Sequence, residues 1–233
     1  MVKVAAVIPA AGQGRRMQTP VNKQFLLLQG MPVIVHTLQA FEDCSEIAEV
    51  FLVCAKGEGI ILEDLIGQFG IKKVVRIVTG GAERQESVHN GLKALAVDTD
   101  IVLVHDGARP LVEEAVIKRV ISAAREYGAA ITGVQVKDTI KTVNGSGMVE
   151  KTLEREGLYQ VQTPQGFRYD LIMEAHRKAA NEGFLGTDEA MLVERLGVGV
   201  RMVPGAYENI KITTAEDMIL AEALLTRRGS RCG

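Results

Sequence analysis

Cysteine is scarce. Cys44, Cys54 and Cys232 are odd in number and widely spaced, and no Cys-x-x-Cys pair occurs. That argues against a disulfide framework and against a zinc site. Two of the three read as small buried hydrophobes and one as a tail thiol, and a reducing cytoplasm is the expected setting. Long apolar runs are missing too. Val4 to Ala11 is the longest near the start, with only Lys3 before it. Nothing reaches the roughly 18 residues of a membrane span, and no signal-peptide layout is present. Charge of one sign is also lacking: 27 basic residues against 29 acidic ones leave a formal charge of −2. A nucleic-acid binder that works by bulk charge is excluded on that ground. No internal repeat and no low-complexity linker appears.

What is present is an ordinary globular composition, 47% hydrophobic and 24% charged. A chain of 233 residues buries roughly 70–75% of the surface its unfolded form exposes, so it needs no covalent staple. The hydrophobic period switches repeatedly between strand and helix. Strands are predicted at Lys3–Ile8, Val50–Ala55, Lys73–Thr79, Asp100–His105 and Ala129–Val136. Helices are predicted at Val33–Phe41, Ile60–Gln68, Gln85–Leu95 and Glu113–Arg125, the last with Val116, Ile117, Val120, Ile121 and Ala124 on one stripe. The strands are continuous Val/Ile/Leu runs, the mark of strands covered on both faces. The fold class is therefore α/β: a Rossmann-like, mostly parallel twisted sheet with helices on both faces.

The alternation breaks at Lys137. Asp138–Val143 and Met148–Glu154 flank Asn144-Gly145-Ser146-Gly147 and read as a projecting β-hairpin arm. Residues 1–136 form a nucleotide-binding α/β part, 137–160 the arm, and 161–233 the remainder of the same domain. In that remainder Tyr169–Ala180 and Asp188–Leu196 are predicted helical, Gly199–Val203 and Asn209–Thr213 extended. Thr213 and Glu216 have the spacing of a capping box at the last helix.

Ligands of open α/β sheets bind beyond the carboxyl ends of the strands. After the first strand stands Pro9-Ala10-Ala11-Gly12-Gln13-Gly14-Arg15-Arg16-Met17. A dinucleotide fingerprint needs a third Gly where Met17 stands, and no acid follows until Glu42, so a nicotinamide-dependent oxidoreductase is disfavoured. A GxxxxGK[ST] loop is absent. The small residues let backbone N–H groups approach a ligand, and Arg15, Arg16 and Lys23 suit a triphosphate. After the third strand, Gly80-Gly81 enters a helix. This pair approaches a base or ribose, unless Ser87 merely caps that helix. After the fourth strand comes His105-Asp106-Gly107-Ala108-Arg109-Pro110. Asp106 is a candidate for a metal or a sugar hydroxyl and Arg109 for a phosphate, or the two brace the turn as an ion pair. His105 reads as a packed imidazole. Lys211, inside an apolar run, is either a strand-edge guard or a phosphate-directed cation. Thr163-Pro164-Gln165 and Thr187-Asp188-Glu189 read as polar turns that cap helices. Neither a Ser-His-Asp or Cys-His set nor HExxH appears, so the chemistry points to positioning and charge neutralisation of phosphates.

These segments, in this order, resemble the 2-C-methyl-D-erythritol 4-phosphate cytidylyltransferase family of the non-mevalonate isoprenoid pathway, from Val4 to about Leu225. The resemblance implies transfer of CMP from CTP to methylerythritol phosphate, with Mg²⁺ and with release of pyrophosphate. The acceptor phosphate attacks the α-phosphorus in line, and no general base is needed. The resemblance gives Arg16 and Lys23 to the transition state, and Lys211 and Arg155 to the acceptor phosphate. It gives Ala10, Ala11, Gly12, Gly14, Gly80, Gly81 and Ser87 to the nucleotide. Asp106, Arg109, Thr139, Thr163 and Thr187 fall in the acceptor pocket, with Asp106 also the candidate metal contact. It further implies a homodimer through the arm, with Thr139 and Arg155 reaching the neighbouring site. Ala82 stands where some members carry an acid, which removes any side-chain contact to the nucleotide there. Two alternatives remain. A ribitol 5-phosphate cytidylyltransferase typically has an Ala-Gly-Gly loop and lacks Gly107-Ala108; a non-enzymatic nucleotide-binding module would release no pyrophosphate.

Overall fold

The computed structural model describes residues 2–12 and 22–229. The chain runs β1 (Val4–Pro9), β2 (Leu27–Leu28), β3 (Met31–Pro32), α1 (Val33–Asp43), β4 (Glu49–Cys54), α2 (Gly59–Gln68), β5 (Val74–Thr79), α3 (Arg84–Lys93), β6 (Ile101–Val104), α4 (Glu114–Tyr127) and β7 (Ala129–Gln135). The arm follows as β8 (Lys141–Val143) and β9 (Val149–Thr152). Then come β10 (Tyr159–Arg168), α5 (Tyr169–Asn181), α6 (Glu189–Glu194), β11 (Arg201–Pro204) and α7 (Ala215–Gly229). Seven strands form one sheet in the order β11-β7-β10-β6-β1-β4-β5. Neighbours pair in parallel except at β10, which is antiparallel to both β6 and β7.

Successive residues of a strand point to opposite faces, so a strand covered on both sides is apolar throughout. β1 shows this directly. Val4, Ala6 and Ile8 enter the core beneath α1 and α4, while Ala5 and Val7 enter the core beneath α3 and α5. The α4 stripe read from the sequence is buried as expected. That helix stops at Gly128, whose φ of 83° suits glycine and whose N–H bonds Ala124 O at 2.9 Å. A third, smaller cluster joins α7 to the β2–β3 hairpin through Leu28, Val33, Ile212 and Ala221. The hairpin's turn is left-handed at Gln29 (φ 49°) and Gly30 (φ 82°). Two-residue strands carry no periodicity, so no pattern along the chain marks them.

Three sequence expectations need correction. Thr163-Pro164-Gln165 reads as a polar turn before a helix, yet it lies in the middle of the sheet, within β10. Its buried side chains include Gln162, Thr163 and Gln165, so it lacks an apolar signature. Their polar groups are bonded instead: Gln162 donates to Ala206 O and Gln165 to Asp188 Oδ2, each at 2.8 Å. The ladder skips between Gln162 and Gln165, where Pro164 has no N–H to give. Residues 209–213 lie outside every strand, fastened by Ile212 N–H to Ala108 O at 2.8 Å. At α7 the capping partner is Asp217 rather than Glu216. Its Oδ2 accepts from Thr213 N, Thr213 Oγ1 and Thr214 N.

The arm is a hairpin, as read. Asn144 Oδ1 accepts from Ser146 N at 3.1 Å and Met148 N at 3.0 Å, which closes the turn. Every residue of β8 and β9 is exposed.

α3 lies close on the sheet because Gly91 has no side chain. A Cβ there would stand 2.5 Å from Val7 Cγ1 and 2.9 Å from Val53 Cγ2. Gly91→Ala is therefore expected to overpack this contact and cost about 1–3 kcal/mol, despite alanine's better helix propensity. A lowered urea midpoint at unchanged slope is the expected reading; an unchanged or raised midpoint contradicts it.

Candidate active site

The carboxyl ends of β1, β4, β5 and β6 open into a cleft of about 650 Å³. Its floor is built from residues too small to obstruct a ligand. At Gly80 a Cβ would meet Ser87 Oγ at 2.7 Å and Ala11 Cβ at 2.8 Å. At Gly107 it would meet Ile34 Cδ1 at 2.9 Å and Pro9 O at 3.3 Å. Only glycine packs without a clash at either turn, and both glycines line the cleft. Ser87 is not a helix cap: it sits inside α3, accepts from Gly81 N at 3.0 Å and donates to Glu83 O at 3.0 Å. The Gly80-Gly81 turn is thus stitched to the helix that follows it. Gln24, buried, donates to Ala10 O at 2.8 Å and ties the chain beyond the Gly-rich loop to the loop's start.

The charged wall centres on Asp106, at the end of β6. Its Oδ1 faces Arg84 Nη2 at 3.2 Å, and its Oδ2 faces Lys211 Nζ at 2.8 Å and Arg109 Nε at 3.6 Å. Burial alone would raise the carboxyl's pKa, but Arg84, Lys211 and Arg109 outweigh it and hold Asp106 well below the usual carboxylate range. Arg84 reaches a second acid, donating from Nη1 to both oxygens of Glu189 at 2.8 and 2.9 Å. Burial works against the guanidinium's charge; Glu189 and Asp106 prevail and raise its pKa. The turn is also fixed from behind. Asp106 N–H donates to Thr163 Oγ1 at 3.0 Å, and Arg109 donates to Asn209 O at 2.7 Å. Lys23 Nζ donates to Ile212 O at 3.0 Å, so the two lysines stand near one stretch of chain.

His105 is sealed off. It is fully buried, tilted against Phe41, and bonded through its two ring nitrogens to Thr163 Oγ1 and Arg109 O. Burial lowers its pKa to about 4. It is a packed imidazole, not a base.

Ala10, Ala11, Gly12, Lys23, Gly80, Gly81, Ser87, Asp106 and Lys211 all line the cleft. Arg109 and Thr163 stand directly behind Asp106 and brace it. Thr187 is exposed, its hydroxyl 3.8 Å from Met191 Sδ, and does not line the cleft. The cap of α6 is Asp188, which accepts from Met191 N at 3.0 Å. Thr139 and Arg155 lie outside this chain's cleft on the arm segment, where Arg155 donates to Lys137 O at 2.7 Å. Gly14, Arg15 and Arg16 fall outside the described residues. Arg84 and Glu189 were missed as functional residues. Arg84 sat in plain view four residues after Gly80, and Glu189 stood in a turn read as a cap, but their pairing spans 105 positions. No local pattern reports such a contact.

A protein-held divalent metal does not fit these residues. Among the described residues no group of three His, Cys, Asp or Glu side chains gathers to hold one. Asp106, the candidate contact, already faces three cations, and a dication there would meet Arg84, Arg109 and Lys211 at close range.

A Rossmann-like sheet with a backbone-lined floor and a cationic wall at its carboxyl edge is the architecture of a nucleotidyltransferase. The family profile of 2-C-methyl-D-erythritol 4-phosphate cytidylyltransferase matches residues 4–227, and the chain belongs to that family. It is 53% identical over 232 residues to the 2-C-methyl-D-erythritol 4-phosphate cytidylyltransferase of Pelotomaculum thermopropionicum, covering 99% of this chain and 98% of the relative. The corresponding protein of Geobacillus kaustophilus is 51% identical over 223 residues, 96% of this chain and 97% of the relative. Among solved structures, 4-diphosphocytidyl-2C-methyl-D-erythritol synthase from Anaerococcus prevotii superposes with a TM-score of 0.86 at 35% identity, covering 97% and 96% of the two chains. The Thermus thermophilus 2-C-methyl-D-erythritol 4-phosphate cytidylyltransferase gives 0.79 at 37%, covering 96% and 98%.

The buried histidines set an acid limit. His105 and His176 have folded pKa values of about 4 and about 3, both lowered by burial from 6.5. The unfolded chain therefore takes up their protons first, and stability falls as pH drops below 6.5 toward those values. The urea midpoint is expected to decline steadily from pH 6.5 to 4.5, and His176→Leu to flatten the slope. A midpoint flat over that window contradicts the assignment.

Proposed function

We propose that the chain transfers the cytidylyl group of CTP to the phosphate of 2-C-methyl-D-erythritol 4-phosphate and releases pyrophosphate. The observation that carries this reading is the cleft itself: lysine and arginine converge on a backbone-lined floor, with the neighbouring histidine buried and neutral. Such a site works on a nucleophile that needs no deprotonation. An acceptor phosphate is already anionic. One of its oxygens forms a bond to the α-phosphorus of CTP as the bond to the bridging oxygen breaks, and pyrophosphate leaves with that electron pair. Lys23, with Arg16, neutralises charge that builds on the α-phosphoryl oxygens. Lys211, set by Asp106, holds the acceptor phosphate, and Arg109 and Thr163 fix the turn that presents Asp106. Thr187 takes no part in this scheme. We assign the accompanying Mg²⁺ to the oxygens of the triphosphate, since this ion readily keeps waters and phosphate ligands.

We further propose a homodimer built by the arm. Val143, Met148 and Val149 are 58%, 66% and 59% exposed there, apolar surface on one hairpin that a second copy would cover. Thr139 and Arg155 flank this arm, and a second copy would bring them to the neighbouring cleft. The absence of any described helix long and apolar enough to cross a membrane and the free buried thiols Cys44 and Cys54 support a cytoplasmic assignment.

Pyrophosphate release with CTP and Mg²⁺ tests the activity. Release with methylerythritol phosphate but not ribitol 5-phosphate is expected. Release with ribitol 5-phosphate alone overturns the acceptor, and CTP binding without release from either leaves a binding module. In the same assay Lys23→Ala is expected to lower kcat by ~10²–10³ with a far smaller change in CTP affinity. Equal losses in both count against a transition-state role. For the shared site, Arg16→Ala and Arg155→Ala, each inactive alone, are expected to recover partial activity when mixed, because a mixed dimer holds one intact cleft. Continued inactivity after demonstrated subunit exchange contradicts it.

A further inference from the structure

Glu189 is the first residue of α6 and only 1% exposed. An ionised carboxylate is seldom buried so deeply unless a cation meets it squarely. Here Arg84 does, giving Nη1 to both Glu189 oxygens and turning its Nε and Nη2 toward Asp106 Oδ1, at 3.3 and 3.2 Å. The guanidinium is clamped between two acids from different elements, and it lines the cleft. An arginine in that position with nothing behind it is a ready phosphate ligand. The clamp commits it to Asp106 instead. Charges then alternate along a chain of contacts: Glu189, Arg84, Asp106, and Lys211 at 2.8 Å from Asp106 Oδ2. The last member lines the cleft; the first is buried behind it.

We propose that Glu189 is a positioning residue for the acceptor, acting through Arg84 on Asp106 and so on the place where the Lys211 ammonium meets the acceptor phosphate. The proposal rests on the activity argued above. Fixing Asp106 Oδ1 leaves Oδ2 to set the lysine, and Arg84 stays out of competition for the incoming phosphate. A pair that served stability alone would not need to end on a lysine in the cleft, and buried ion pairs are poor devices for stability in any case.

Glu189→Gln keeps the side chain's shape and removes its charge. Expected are a rise of roughly 10–100-fold in KM for methylerythritol phosphate, the scale of a misplaced positioning group, and a CTP Kd within about twofold of wild type by titration calorimetry without acceptor. Because the effect runs through Arg84, Glu189→Gln is expected to add nothing in an Arg84→Gln background. Should Glu189→Gln not fold, Glu189→Asp keeps the charge but draws it back by one methylene, and an acceptor KM raised with the melting temperature held carries the same test. An unchanged acceptor KM in a folded variant, equal losses in acceptor KM and CTP affinity, or additive effects of the two substitutions overturns the proposal. A wild-type protein that turns over no polyol phosphate overturns the activity beneath it as well, and the wild-type control separates that outcome from the others.

Discussion

The Asp106 carboxylate is the charge around which the site is arranged. It sits at the end of a buried strand, where an ion alone is costly, and it is kept ionised by Arg84, Lys211 and Arg109 acting together. Each cation comes from a different part of the chain: the start of α3, the segment after β11, and the turn after β6. One carboxylate therefore draws three otherwise independent segments to one edge of the sheet. The same arrangement disqualifies Asp106 as a metal ligand.

The frame that permits this is the sheet. Parallel strands β6, β1, β4 and β5 bring their carboxyl ends to one side, and the small residues after β1 and β5 leave backbone uncovered there. β10 runs the other way between β6 and β7. That reversal places Thr163 behind the β6 turn, where its hydroxyl takes the Asp106 N–H. Polar side chains in the middle of a sheet are thus part of the site's foundation and are satisfied by it.

A site of this kind does its chemistry by geometry. His105, the titratable group nearest Asp106 in sequence, is held neutral by burial and spends its nitrogens on structure. What lines the cleft besides backbone is mainly cationic: Lys23, Lys56, Arg84 and Lys211 outnumber Glu83 and the ion-paired Asp106, which suits two anions brought together for transfer between phosphates. Membership of the cytidylyltransferase family agrees with that reading.

The sequence by itself determined the α/β class, the layer order and the loops that carry the site. Continuous apolar runs mark strands covered on both faces, and Gly-rich breaks at their carboxyl ends mark the binding edge; β5 departs from the rule because it closes the sheet's edge and leaves Val75 exposed. Ala10, Gly80 and Asp106 were legible on that basis; Lys211 was not, because residues 209–213 read as a strand and lie outside every strand. The tertiary structure alone decided what pairs with what. β10 was invisible because its buried Gln162, Thr163 and Gln165 are polar and interrupted by a proline, and no period marks such a strand. Arg84 and Glu189 were unassigned because their contact joins residues 105 positions apart, and the burial that makes the pair matter exists only after the sheet has closed around it.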